Sequence, residues 1–255
     1  MFSAKYFIYD NRLSADYGLQ IVDFDDNAVK ETDAFSPTLS LQKTPGSLRF
    51  YHGGIEYDSA PTCEFSVLSE SEIPALLRGE ILSWLVGRKQ FKKLLFIGGD
   101  NDEFTYHCVF TSAKIIWING RCHGFRLNAQ FDSPYARGTP TILTVGSGNH
   151  YVSIINKSDI VDGYTYPMVV FNGEVDIVNR TDDGDRHFKF SGISPSDTIT
   201  VDNEIKHIMS TTGGEKLSNF EGKNWLRLRQ GGNFLRIESS GDVTITCPYY
   251  AMIGF

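Results

Sequence analysis

Hydrophobic and polar residues alternate along many short stretches of the chain. In CHGFRLNAQF the apolar residues between Phe125 and Phe131 stand two apart, a spacing that places them on one face of a β-strand. The runs LLFIG, FTYHCVF and KIIWI precede this stretch, and Asn119-Gly120, which follows KIIWI, suits a type I′ hairpin turn. We therefore predict successive antiparallel strands in this region.

One segment, SESEIPALLRGEILSWLVG, has helical spacing instead. Its apolar residues recur at intervals of three and four: Ile73, Leu77, Ile81, Trp84 and Leu85. Ser71 is the predicted N-cap, Pro74 falls in the first turn, and Gly87 ends the helix. The sequence predicts one substantial helix over about residues 72–86, laid against a sheet.

A second group of alternating runs fills the last half of the chain: HYVSII, YPMVVFNG, EVDIVN, HFKFSG, DTITVD, WLRLRQGGNFLRI and DVTITC. At least seven strands with frequent turns indicate a complete β-sandwich. Gly231-Gly232 is predicted to be the turn of a hairpin. The fold class is therefore mainly β, with a helix laid against a sheet in the first half and a complete β-sandwich in the second.

The two groups of runs meet at FDSPYARGTP. Phe131 ends the inward face of the last strand of the first domain, and Asp132-Ser133-Pro134 has ordinary turn chemistry. The next residues, 137–140, are predicted to be a short linker, so the domains are expected to span 1–137 and 138–255. Ser133 lacks a Gly-x-Ser-x-Gly elbow, which argues against a serine nucleophile.

Residues 25–62 differ from the rest of the first domain. The segment is polar, contains three prolines, and has short apolar patches only around Leu39–Leu41 and Leu48–Tyr51. Loops of this length are usually functional or disordered. Two interpretations are open, a long surface loop or an arm that reaches a neighbouring subunit.

Charge and composition exclude several classes of function. The net charge is −7, and no basic surface large enough for nucleic-acid binding is evident, since such binding needs clustered Lys and Arg. No apolar run approaches a membrane span, and the N-terminus lacks a secretory signal, so we expect folding in a cytoplasm and no membrane insertion. The four cysteines are far apart, which favours buried thiols over zinc or redox sites, with disulfides as the minor alternative: Cys63, Cys108, Cys122 and Cys247.

No enzyme signature is present. TDDGDRH at 181–187 gathers three aspartates but lacks the ligand spacing of a calcium loop, so an acidic, solvated turn is expected. The six histidines show no HExxH or paired spacing. We predict no catalytic residue, no metal and no cofactor. A carbohydrate-binding β-sandwich is the alternative class, and its candidate site residues are Trp225, Arg227, Arg229 and Asn233.

Several pieces of the sequence together resemble the distal tail protein family of long, non-contractile-tailed bacteriophages. They are FIYDNRLSADYGLQIVDF, TPGSLRFYHGG, SWLVGRKQFKKLLF, IIWINGRCHGF, QFDSPYA and the downstream TTGGEKLSNFEGKN with WLRLRQGGNFLRI. The resemblance covers essentially the whole chain. It implies a structural protein of the virion tail tip: a homo-hexameric ring that joins the tail tube to the receptor-binding apparatus, through which DNA passes only in transit.

The resemblance also implies the role of each domain. Residues 1–137 are expected to form the ring as a β-sandwich with one helix and an extended arm at about 25–62 that wraps the adjacent protomer. Residues 138–255 are expected to form a galectin-like β-sandwich for docking. Expected partners are the tail tube protein, a tail-associated fibre or lysin-type protein, the tape-measure protein and receptor-binding proteins. The sugar-binding pattern of true galectins is absent, because Trp225 is followed by Leu226 and His187 by FKFSG.

An arm exchanged between neighbours adds contact area to a closed ring without a larger core. The apolar residues of the arm are the predicted interface: Phe35, Leu39, Leu41, Leu48, Phe50 and Tyr51. The alternative is that these residues cover their own sheet.

Overall fold

Strands form where apolar and polar residues alternate, and the prediction of a mainly β protein is confirmed. The computed structural model describes residues 4–24, 38–42, 51–56, 61–99, 102–160 and 163–252. The strands in these ranges are β1 Tyr6–Tyr9, β2 Arg12–Leu13, β3 Gln20–Val22, β4 Thr38–Gln42, β5 Tyr51–Glu56, β6 Thr62–Leu68, β7 Lys92–Ile97, β8 Thr105–Ile118, β9 Arg121–Phe131, β10 Ala136–Val145, β11 Gly148–Asn156, β12 Met168–Asn172, β13 Val175–Asn179, β14 His187–Phe190, β15 Thr198–Asp202, β16 His207–Ser210, β17 Phe220–Glu221, β18 Gly231–Ser239 and β19 Val243–Ala251. The α-helix α1 spans Ala75–Val86, and two short 3-10 helices span Ser14–Tyr17 and Leu217–Asn219.

The chain divides into two compact units, one of Met1–Ala136 with Met252–Phe255 and the other of Arg137–Ala251. In the first unit, seven strands form a continuous antiparallel sheet in the order β2-β1-β7-β8-β9-β6-β3. The Ile21 amide donates a hydrogen bond of 2.9 Å to the Lys5 carbonyl. This bond brings β3 back beside β1, so the sheet wraps around its own core.

The core of the first unit is aromatic and is closed by α1. Trp84 is fully buried and stacks on Phe7 with ring centroids 5.7 Å apart and on Tyr17 at 5.0 Å. Its indole N–H donates to the Tyr9 carbonyl at 2.9 Å. Because indole can be buried cheaply only when its N–H finds an acceptor, this bond fixes the helix over β1.

The helix begins later than predicted. The Ile73 amide donates to the Cys122 carbonyl of β9 at 2.8 Å, so the chain is still fastened to the sheet at this point. Pro74 is the N-cap, with extended backbone at φ −61° and ψ 157°, and the prediction that Ser71 caps the helix is wrong. Gly87 is the C-cap, as predicted. The Asn119-Gly120 turn is also confirmed, since both residues have positive φ and join β8 to β9.

Gly124 lies on β9 opposite Leu68 of β6. A Cβ at this position would stand 2.0 Å from the Val67 carbonyl oxygen and 3.0 Å from the Leu68 Cα. We expect Gly124→Ala to destabilise the protein by about 1–3 kcal/mol, because the paired backbones would have to separate. The matched control is Gly79→Ala on the exposed face of α1, where an added Cβ meets nothing within 4 Å. Urea unfolding of the Gly79→Ala control should show a free energy of unfolding about 0.5–1 kcal/mol higher than that of the wild type. Equal stabilities of the two variants would contradict the close approach of β9 to β6.

The second unit is a sandwich of two layers of strands. One layer is a five-stranded sheet with the order β11-β18-β13-β14-β17, and the strands of the other layer follow the order β16-β15-β12-β19-β10. Their inner faces meet in a core centred on Phe171, Phe188, Phe190 and Phe220, whose rings lie 4.6 to 6.4 Å apart where they contact. This packing is what alternation along each strand produces when one face is buried.

Two sequence predictions for this half are wrong. Residues 137–140 are not a linker but the beginning of β10, where Pro140 lies exposed on the strand. The segment 225–230 is also not the first arm of a hairpin, because it makes only an isolated bridge, between Leu228 and Thr165, while β18 pairs with β11 and β13 instead.

Candidate assembly interface

A separate β-hairpin lies inside the segment predicted to be an arm. Strands β4 and β5 pair antiparallel from Thr38↔Glu56 to Gln42↔Tyr51, with a bulge between Ser40 and Leu41. They form a two-stranded sheet of their own, to which no other described strand is paired. An isolated hairpin of two strands is marginally stable in water. This hairpin is therefore the first candidate interface.

The predicted interface residues fall unevenly on this hairpin. Leu39 and Leu41 lie on β4, and Tyr51 begins β5. Phe35, Leu48 and Phe50 lie outside the described residues. The assignment of these six side chains to an interface stays a prediction.

The β8–β9 hairpin carries a second apolar surface at its turn. Trp117 and Ile118 are exposed, and the Arg78 guanidinium of α1 lies 5.3 Å from the centroid of the Trp117 ring. Leu76, which precedes Arg78 on α1, is 91% exposed. This surface was not predicted, although KIIWI next to an Asn-Gly turn places a tryptophan at the end of a hairpin, where few neighbours can cover it.

The four residues considered for a sugar site lie close together in the chain but not in an open site. Trp225 is partly buried and packs edge-on against Phe220 at 4.9 Å. The cleft beside it has a volume of about 10 Å³, which accommodates at most a single water molecule. Asn233 is 1% exposed. The sugar site stays a prediction. In the structure, the side chains of Arg227, Arg229 and Asn233 make hydrogen bonds within the protein.

Three buried asparagines hold the segment that contains Arg227 and Arg229. Asn233 accepts from the Arg229 amide at 3.0 Å and donates to its carbonyl at 2.8 Å. Asn179 donates to the Arg227 carbonyl at 3.1 Å, and Asn156 donates to the Leu228 carbonyl at 3.3 Å. Because these amides satisfy the backbone, the segment needs no strand partner, which explains the missing hairpin.

Arg227 is anchored by Asp182, whose side chain is 3% exposed. The guanidinium donates to both carboxylate oxygens, at 2.7 and 3.1 Å, and its carbon lies 3.9 Å from the centroid of the Tyr164 ring. Burial by itself would raise the pKa of Asp182, but hydrogen bonds from Arg227 and from the Tyr164 hydroxyl lower it below its usual range. The prediction of a solvated acidic turn is wrong for Asp182, which is a structural ion-pair partner.

Cysteine thiols and possible metal-ligating side chains are the other reactive groups among the described residues. All four cysteines are free thiols, and burial raises the pKa of Cys247 to about 11. Among the described residues, no group of His, Cys, Asp or Glu side chains is arranged to hold a metal ion. Nor does any helix of the described part have the length and apolar character to span a bilayer.

The described residues form two antiparallel β units, a hairpin that pairs with no other described strand, and exposed apolar surfaces. Two family models match the chain: one described as "Phage tail protein N-terminal domain" matches residues 2–133, and one described as "Phage tail C-terminal domain" matches residues 135–247. The chain therefore belongs to this family of phage tail proteins. No curated protein sequence matches it.

Two solved structures are similar over nearly their whole length. The Dit protein of phage SPP1, described as a paradigm of the hub adsorption apparatus in phages that infect Gram-positive bacteria, is 15% identical with a TM-score of 0.69, covering 98% of this chain and 99% of that chain. A chain of the phage P2 baseplate, in its activated conformation with Ca, is 10% identical with a TM-score of 0.54 and the same coverage. The resemblance to distal tail proteins is thereby confirmed.

Proposed function

We propose that the chain is the subunit of a homo-hexameric ring at the distal end of a phage tail, where it connects the tail tube to the tip. The first unit forms the ring, and the second is a galectin-like platform for other tail proteins. The full-length similarity to a hub protein supports this proposal. The net charge of −7 suits a channel through which DNA passes without adhering.

The β4–β5 hairpin is the observation that carries the proposal. It belongs to the segment that the sequence resemblance matches to an exchanged arm, and it pairs with no other described strand of its own chain. A neighbouring subunit supplies the packing that a two-stranded sheet lacks. In a closed ring every subunit both gives and receives such an arm, so no arm is left without a partner.

Removal of the arm tests this role. We expect deletion of residues 35–52 to convert the hexamer into monomers, as measured by light scattering of purified protein, because the exchanged contact is lost. A second variant, Leu39→Ser with Leu41→Ser, should weaken the ring without shortening the chain. The control is Ile205→Ser, on an exposed turn of the second unit. An intact hexamer after the deletion contradicts the exchange of the arm. Loss of the hexamer in the Ile205→Ser control shows that the effect is not specific to the arm.

The partners proposed for the platform are the tail-associated fibre or lysin-type protein and receptor-binding proteins, with the tape-measure protein inside the tail. Direct adhesion to host sugars is the competing function. Its test is a glycan-binding assay with Trp225→Ala, and binding that this substitution abolishes would favour it over the docking role.

A further inference from the structure

Strand β11 is an open edge of the second unit. It is the last strand of the sheet β11-β18-β13-β14-β17 and pairs with β18 at nine consecutive positions, from Gly148↔Ser239 to Asn156↔Gly231. Among the described residues, no backbone hydrogen bond reaches β11 from the side opposite β18. In an antiparallel strand, alternate residues direct their N–H and C=O groups to that open side.

The edge lacks the features that normally prevent strand pairing. Its sequence, GNHYVSIIN, contains no Lys, Arg, Asp, Glu or Pro, and its register with β18 has no bulge. Natural sheets protect exposed edges with such residues, with bulges or with very short strands. The opposite edge of the same sheet shows this protection, because β17 has two residues and Glu221 is paired with Lys189 at 2.7 Å.

An apolar band lies along the outer face of this edge. Tyr151 is 61% and Ile155 58% exposed on β11, and Phe234 of β18 is also exposed. The Tyr151 and Phe234 rings stack with centroids 6.1 Å apart and planes 22° from parallel. Contiguous exposed apolar side chains beside an unpaired ladder are typical of an interaction surface.

We propose that β11 pairs antiparallel with β11 of a second copy of this chain, about a two-fold axis. Only an extended segment satisfies the open ladder, and an uncharged strand can meet its own copy without opposing like charges. With the axis at Val152, Tyr151 lies opposite Ser153 of the other copy. Tyr151 and Ile155 of that copy are then its diagonal neighbours, so the two apolar bands cover each other.

This contact is independent of the arm and goes beyond the proposed ring, because it lies in the second unit and relates copies in pairs. One strand pair is at the small end of stable interfaces. Association is therefore expected to rise with protein concentration. The β11 contact adds to any ring that the first unit forms.

Sedimentation velocity of the full chain over a concentration series tests the pairing. We expect wild-type protein to form a species of twice the mass of its basic assembly, and the variant Tyr151→Lys with Ile155→Lys to show the basic assembly alone at every concentration. The control is Ile205→Lys with Met209→Lys, which charges two exposed apolar residues elsewhere on the second unit and should still double. Circular dichroism should show that all three proteins are folded.

Two results overturn the proposal: no doubling of wild-type protein at any concentration, or equal doubling in the Tyr151→Lys, Ile155→Lys variant. Failure of the ring proposal is a different result. In that case the basic assembly is a monomer. Wild-type monomers should still form dimers through β11, and the Tyr151→Lys, Ile155→Lys variant should still stay monomeric.

Discussion

Trp84→Ala is expected to destabilise the first unit by about 3–5 kcal/mol, the usual cost of emptying a buried tryptophan site. The substitution removes the stacking partner of Phe7 and Tyr17 and leaves the Tyr9 carbonyl without its indole donor. Loss of a buried hydrogen-bond partner adds to the cost of the cavity. Differential scanning calorimetry should show a lower midpoint for the first unit.

The control for this prediction lies on the same helix. Leu76 is 91% exposed, so Leu76→Ala should change stability by no more than about 0.5 kcal/mol, as is usual for surface positions. If both substitutions have the same effect, α1 does not close the aromatic core in the way that the structure describes.

Asp182→Asn is expected to cost about 3 kcal/mol of stability in the second unit. The substitution keeps the shape of the side chain but leaves the Arg227 guanidinium without its anion, and removal of one partner from a buried ion pair is strongly destabilising. Asp183→Asn is the matched control, because the carboxylate of Asp183 is 83% exposed and pairs with Arg229 at the surface. Surface pairs contribute about 0–1 kcal/mol, so chemical unfolding should separate the two variants clearly.

The same ion pair sets a pH dependence. Because the pKa of Asp182 is lower in the native protein than in the unfolded chain, the ionised carboxylate stabilises the fold fully above the unfolded pKa of about 4. That contribution is lost as the pH falls through the native pKa. The difference in stability between wild type and Asp182→Asn should therefore shrink below about pH 4, and a difference independent of pH contradicts the role of the charge.

The sequence pattern predicts much of this fold because burial of one face leaves a local trace. Alternation identifies the strands of both units, and the Asn119-Gly120 turn follows from the two positive φ angles that a type I′ turn needs. The start of α1 was harder to predict. It depends on a hydrogen bond between Ile73 and Cys122, which are far apart in the chain.

The segment around Arg227 could not be predicted for a similar reason. Its apolar residues alternate like those of a strand, yet amides from Asn156, Asn179 and Asn233 take its backbone groups. Nothing in the local sequence shows that an asparagine 72 residues away satisfies a carbonyl. The burial of Asp182 is non-local as well, since it requires Arg227 on another segment.

Electron microscopy of the purified full-length protein tests the central claim most directly. A distal tail ring predicts particles with six-fold symmetry and a central channel. Particles of a monomer under all conditions of salt and concentration would contradict the ring, and with it the role proposed for the β4–β5 hairpin.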